Sequence, residues 1–332
     1  MPYLPQIKIL VPSAQVSSYT TGVLSLPSAK GAFFTPVARG VFNIGETAVT
    51  QVATTNYIQI ATTGNATNFG DLTVARYYPG ACSSSTRGLF GGGVGPGGTT
   101  NTIDYITIDT AGAATDFGDL TVTRNSLSGC GSSTRGLFSS GRNGATFYDT
   151  IDYVTIASTG NATDFGDLSV LRAGVGSVSS PTRAVFGSGR NSSNTYFDTI
   201  DYVTIASTGN ATDFGDLSIA AQLVAGGGSS TRGIFGGHAV SFSPYRTNII
   251  DYITIASTGN ATGFGDLTVA RESSGGCSSS LRTVFCMGYT GAGPGNVLDY
   301  ITIASTGNAT DFGDATSVGY GTAGLSNTHG GL

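Results

Sequence analysis

Six aspartates and six arginines recur at matched positions along this 332-residue chain: Asp71, Asp119, Asp167, Asp216, Asp266 and Asp314, with Arg39, Arg87, Arg135, Arg183, Arg232 and Arg282. Carboxylates and guanidinium groups in equal number can pair, hold a cation or form an acid–base set. A catalytic centre needs one asymmetric constellation, whereas these groups return in every copy of an internal repeat, so a buried or half-buried structural pair in each unit is expected. The other reactive side chains are sparse. His238 and His329 are the two histidines and fall in different copies. Cys82, Cys130 and Cys277 each precede a recurring Arg by five residues, where other copies carry Val178 and Gly227, so small buried thiols are expected rather than disulfides or metal ligands. No cofactor and no metal site is expected, and near-identical copies leave little asymmetry for a nucleophile, a base and an orienting group. The chain is read as not an enzyme.

Two further strings imitate functional motifs. Asn-Ala-Thr at 65–67, 161–163 and 210–212 fits a glycosylation acceptor, but the second copy reads AGAAT at 111–115, and turn chemistry that tolerates positive φ explains the string better. Asp116-Phe117-Gly118 matches the magnesium-binding string of kinases, yet it occurs in four copies without the rest of that signature.

The elements that position these residues follow from the repeat. Three landmarks return six times: Phe42, Phe90, Phe138, Phe186, Phe235 and Phe285; Tyr57, Tyr105, Tyr153, Tyr202, Tyr252 and Tyr300; Phe69, Phe117, Phe165, Phe214, Phe264 and Phe312. From Tyr to the following Phe is always 12 residues, and length varies only between the first Phe and the Tyr. Each unit holds four strand-like runs separated by turn residues, typified by GACSSS (80–85), RGLFGG (87–92), DYITI (104–108) and DFGDLTV (116–122), here termed A, B, C and D. Four antiparallel strands per ~48 residues, repeated around a ring, predict an all-β fold, a β-propeller of four-stranded antiparallel blades.

A strand ending in a Gly pair, a Tyr-bearing strand, an outer strand and an Arg before the next unit resembles the kelch repeat over nearly the whole chain. It departs in lacking Trp, in reading D-Y rather than Y-D, and in replacing Gly91-Gly92 with Ser139-Ser140 or Cys286-Met287. Residues 24–42 align without a gap on 72–90, and 319–332 align on 76–89. The expected single propeller over 1–332 is therefore seven-bladed: six complete repeats over 32–318, plus a closing blade that combines N-terminal strands from 1–31 with a C-terminal strand from 319–332. A six-bladed ring with an N-terminal arm is the alternative.

Composition limits the function. Charged residues make up 11% of the chain against roughly 25% in an ordinary domain, Gly numbers 51, the net charge is −5 and Lys occurs only at Lys8 and Lys30. Nothing basic enough to neutralise a phosphate backbone exists, which speaks against nucleic acid. No run approaches a membrane span, and MPYLPQIKILVPSAQ lacks the pattern of a secretory signal, so assembly in a host cytoplasm is expected.

Chain direction puts the A–B and C–D turns on one face and the B–C and D–A connections on the other. The first set is nearly constant among copies; the second diverges. The varied face collects Tyr77, Tyr78, Arg142, Phe147, Tyr148, Arg190, Tyr196, Phe197, Tyr245, Arg246 and Tyr289. Tyr and Arg on Gly- and Ser-rich loops over a rigid frame make a recognition surface. The recurring string IDYVTIASTGNATDFGDL (151–168 and 200–217) resembles sequences in virion proteins of tailed, especially marine, bacteriophages, which implies a non-enzymatic tail or host-contact protein in the virion. Its partners would be other virion proteins and a host surface glycan or protein, with homo-oligomers in the particle left open. A soluble carbohydrate-binding or hydrolytic propeller is the alternative, and a kelch-type adaptor is a third.

Overall fold

The computed structural model describes residues 37–332, and every regular element among them is a β-strand. Six four-stranded antiparallel sheets form the blades of a propeller, each with its strands in the order A-B-C-D. Blade 3 is representative, with A at Ser128–Gly131, B at Arg135–Ser139, C at Thr150–Thr155 and D at Thr163–Asp167. The blades are numbered 1 to 6 by their B-strand phenylalanines, from Phe42 to Phe285.

Small residues are placed where adjacent blades meet. Phe138 is fully buried and lies against Gly91 of blade 2, where a Cβ would come 2.9 Å from the ring. Cys82 packs into the space beside Gly136 in the same way, and all four cysteines are buried, unbridged thiols. The D-strand glycine answers to a different contact. Gly166 has φ of +144°, and a Cβ on it would stand 2.5 Å from the Gly209 carbonyl oxygen of the next blade, so no other residue type allows this approach.

The closing blade corrects the expected count. Strand Gly324–Ser326 pairs antiparallel with Arg39–Asn43, followed by Thr54–Gln59 and Thr67–Asp71, so the C-terminal A strand completes blade 1 and the described residues form six blades, not seven. A head-to-tail circle of main-chain hydrogen bonds fixes the number. Ser126 N–H donates to Tyr78 C=O, Gly174 to Ser126, Leu223 to Gly174, Ser273 to Leu223, Gly321 to Ser273 and Tyr78 to Gly321, at 2.6 to 3.0 Å. One residue per blade junction supplies each link, all six at positive φ between 54° and 76°. The N-terminal strands assigned to a seventh blade lie outside the described residues. Crowding shows why the C-terminal string suits this A position: a Cβ on Gly324 would already stand 2.5 Å from the Gly276 carbonyl, whereas the N-terminal string aligns Phe33 there in sequence.

The predicted ion pairs also change partners. Buried pairs join Arg76 to Asp104, Arg124 to Asp152, Arg172 to Asp201 and Arg271 to Asp299 at 2.8 to 2.9 Å. These carboxylates belong to the D-Y string of one blade and the arginines to the segment five residues beyond strand D in the blade before. Thr121 N–H and Oγ also donate to Asp152, so each such carboxylate is satisfied from across a seam. Burial draws the Arg76, Arg124 and Arg172 guanidiniums below their ordinary range, and the facing Asp opposes this. By contrast, Arg135 of the R-G-x-F string lies 4.5 Å over the Tyr153 ring and donates to the Ile205 carbonyl of the next blade. Asp167 is half-exposed, and its N–H donates to the Asn210 side chain of the next C–D turn. The Asn of N-A-T is thus an interblade clasp.

The A strands surround a central channel. Near the constant face, residues 327–332 lie across it: the His329 ring meets the Ser83 carbonyl at 2.8 Å through Nε2 and accepts the Gly331 N–H at Nδ1. Gly331 leaves no room for a Cβ against the Gly131 carbonyl.

Candidate functional site: the rim of the varied face

At the other end, the circle of hydrogen-bonded main chain frames the channel mouth. Its own N–H and C=O groups are occupied by one another, so recognition falls to side chains. Around it runs an outer circle of short β-bridges: Glu46 with Tyr320, Tyr77 with Val94, Asn125 with Arg142, Ala173 with Arg190, Gln222 with Ala239 and Glu272 with Tyr289. In each bridge one residue lies four beyond a B-strand Phe and the other eight beyond a D-strand Phe. Equivalent positions of six similar blades therefore carry Glu, Val, Arg, Arg, Ala and Tyr in the first set, and Tyr, Asn, Ala, Gln, Glu and Tyr in the second.

The result is an uneven rim. Across blades 6, 1 and 2 it is aromatic: Tyr77 and Tyr78 lie 4.9 Å apart, Tyr320 is 6.0 and 6.1 Å from them, and Tyr289 is 5.2 Å from Tyr320. Tyr320 donates to Glu46 at 2.5 Å, and burial together with that carboxylate raises its phenol well above the ordinary value. Tyr78 reaches past the bare Gly321 to Ser273 Oγ, 3.1 Å away, and burial pushes its phenol up to about 12. Arg246 lies 4.8 Å over Tyr289 and pairs with Glu272 at 3.0 Å, so its charge is neutralised. Burial raises the Glu272 carboxyl and Arg246 opposes the rise.

Blades 3 and 4 present the opposite character. Arg142 and Arg190 line one small depression together with Tyr78, Ser126, Ala173, Gln222 and Leu223. Arg190 donates through Nε to Gln222 at 2.8 Å and through Nη1 to Asn194, and stands 5.7 Å over Phe147. Gln222 in turn donates to Tyr196 Oη at 3.4 Å.

The structure gathers eight of the eleven residues selected from sequence into this rim: Tyr77, Tyr78, Arg142, Phe147, Arg190, Tyr196, Arg246 and Tyr289. The side chains of the other three make no hydrogen bond, ion pair or ring contact with it among the described residues. Tyr148 follows the two-residue strand Thr146–Phe147, Phe197 begins a C strand opposite Ala221, and Tyr245 is 58% exposed on its own loop. Sequence reading missed Tyr320, Gln222, Glu272 and Glu46, although counting from the two phenylalanines in every copy, rather than only in the divergent strings, places all four on the rim.

Neither a scan against protein-family models nor a search of curated proteins returns a match to this chain. Among the described residues no group of three or more His, Cys, Asp or Glu is placed to hold a metal ion, and no helix is long and apolar enough to cross a membrane.

Proposed function

We propose that this chain is a non-enzymatic recognition module of a bacteriophage virion, a kelch-like propeller that holds the rim of its varied face toward a host surface glycan or a partner protein. One observation carries the reading: each of the two sets of sixfold-equivalent rim positions holds five different residue types, on a frame whose strand landmarks recur in every copy. Tyrosines flanked by Arg, Gln and Glu suit stacking on sugar rings and hydrogen bonding to their hydroxyls. The kelch-like pattern and the resemblance of the IDYVTIASTGNATDFGDL string to tailed-phage virion proteins support the particle assignment.

Mass spectrometry of purified particles tests that assignment, and adsorption of the fluorescently labelled chain to host cells tests recognition. Presence in the particle, with adsorption lost on Tyr77→Ala and Tyr320→Ala, is expected. Release of new reducing ends from a glycan by the free protein would favour a hydrolytic propeller instead.

A further inference from the structure

Arg142 and Arg190 occupy the same repeat position in adjacent blades, and this is the one place on the rim where neighbours share a charged residue. Neither forms an ion pair among the described residues, although the chain has net charge −5. The contrast with the other cations is informative. Arg76, Arg124, Arg172, Arg271 and Arg246 each have a carboxylate, and Arg39, Arg87, Arg135, Arg183, Arg232 and Arg282 each lie over a Tyr ring and donate to a main-chain carbonyl at a seam. Arg190 instead has only the neutral amides of Gln222 and Asn194 and the Phe147 ring, which hold the guanidinium in place without neutralising it. Arg142 is fixed through its main chain, whose N–H and C=O both bond to Asn125 at 2.9 Å, and its guanidinium has no hydrogen-bond partner among the described residues.

Two like charges facing one depression repel each other, and a bound anion relieves that repulsion. A guanidinium offers a planar fork of donors that matches a carboxylate. The remaining walls are neutral: Tyr78, Leu223, and a Ser126 hydroxyl already donated to Asn125. Glu46 and Glu272 lie at the tyrosine side of the mouth, which disfavours a second anion there. We infer that the depression between blades 3 and 4 is an anion subsite, and that it takes the carboxylate of an acidic sugar whose neutral neighbours lie toward Tyr77, Tyr78 and Tyr320. This rests on the reading of the rim as a glycan-recognition surface.

The test is titration calorimetry of the full chain against oligogalacturonate, oligomannuronate and sialyllactose, each beside its carboxymethyl ester, together with sulfated carrageenan oligosaccharides. At least one carboxylated saccharide is expected to bind and its ester not to. Arg142→Gln and Arg190→Gln should each weaken binding by about tenfold or more, with melting unchanged. Equal binding of acid and ester, or Arg→Gln variants that bind like the parent chain, would overturn the subsite while leaving glycan recognition standing. Binding of the sulfated saccharides alone would overturn the carboxylate assignment. If no saccharide of any charge binds, the subsite and the glycan reading fall together.

Discussion

The seams between blades and the rim of the varied face are built on the same sixfold register, yet they differ in how far the copies agree. At the seams, the Arg over Tyr recurs in all six copies, the Asp held by Thr or Ser in five, and the Phe against Gly in three. At the rim, neighbouring copies share a charged residue only at Arg142 and Arg190. Seam residues are tied to the adjacent blade, so one altered copy leaves a cavity or an unpaired charge. Rim side chains lie above a main-chain circle that is complete without them. The comparison predicts that seam substitutions act on stability and rim substitutions on binding.

The largest expected effect is at a seam. Arg124→Ala leaves Asp152 buried without its cation and should cost about 3–5 kcal/mol in urea unfolding. The chain contains its own control. At the junction of blades 6 and 1 the Arg position is Gly319, and the Asp position is Asn56, which accepts from Thr316 N and Oγ at 2.9 Å. The double variant Arg124→Gly, Asp152→Asn should therefore recover much of the loss. A double variant as unstable as the single one would show that the pair does more than balance its own charges.

A smaller effect is expected with acid. At the junction of blades 4 and 5 the Arg position is Ala221, Asp251 remains buried, and His238 is fully buried nearby. Burial lowers the His238 imidazole to about 4, and Asp251 only partly opposes it. The unfolded chain takes up a proton near pH 6.5, while the folded chain resists until about pH 4. Stability is thus complete above 6.5 and is lost as pH falls through that window, by on the order of 3 kcal/mol in all, of which about 2 falls between pH 7 and 5. Burial also lowers His329, and protonation at Nδ1 would remove the acceptor for Gly331, so the same sign applies to the segment across the channel. Urea midpoints at pH 7, 6 and 5 check this: His238→Leu should flatten the slope, and a slope unchanged in that variant would assign it elsewhere.

How much of this was legible depended on whether a contact lay within one repeat or between two. The strand order A-B-C-D, the Phe and Tyr landmarks and the two faces follow from local pattern, and the structure matches them. Partner choice across a seam was not local. Asp152 and Arg124 are separated by a blade boundary, and the more regular-looking Asp167 set drew the assignment instead. The clue present in the sequence was a paired change, Asn56 where the partner position reads Gly319. The blade count failed for a similar reason, since two strings compete for one A position and only the crowding at Gly324 separates them.

Asp167 sharpens the contrast from the weak side. Desolvation and then the neighbouring Asp149 and Asp164 raise its carboxyl, so its ionised form is mildly unfavourable in the fold. Its tie to the next blade runs through its main-chain N–H, which the side chain does not affect. Asp167→Ala should therefore change stability by about 0.5 kcal/mol or less, toward stabilisation at pH 7. A loss of several kcal/mol in thermal or urea unfolding would restore the original pairing of the Asp and Arg sets.

The smallest effect is expected at Tyr245, and it separates the rim from the varied face at large. Tyr320 and Tyr245 are both tyrosines on that face, but Tyr320 touches three other tyrosines and Glu46, while Tyr245 is 58% exposed with no ring contact to the rim. If recognition belonged to divergent loops in general, Tyr245→Ala and Tyr320→Ala would weaken cell adsorption alike. If it belongs to the rim, Tyr320→Ala should weaken adsorption by about tenfold or more, as for an aromatic anchor at the centre of an interface, and Tyr245→Ala should leave both adsorption and melting unchanged. Parallel adsorption and melting curves for the two variants decide between these, because a loss confined to Tyr245→Ala would move the recognition surface outward from the channel mouth to the loop of blade 5.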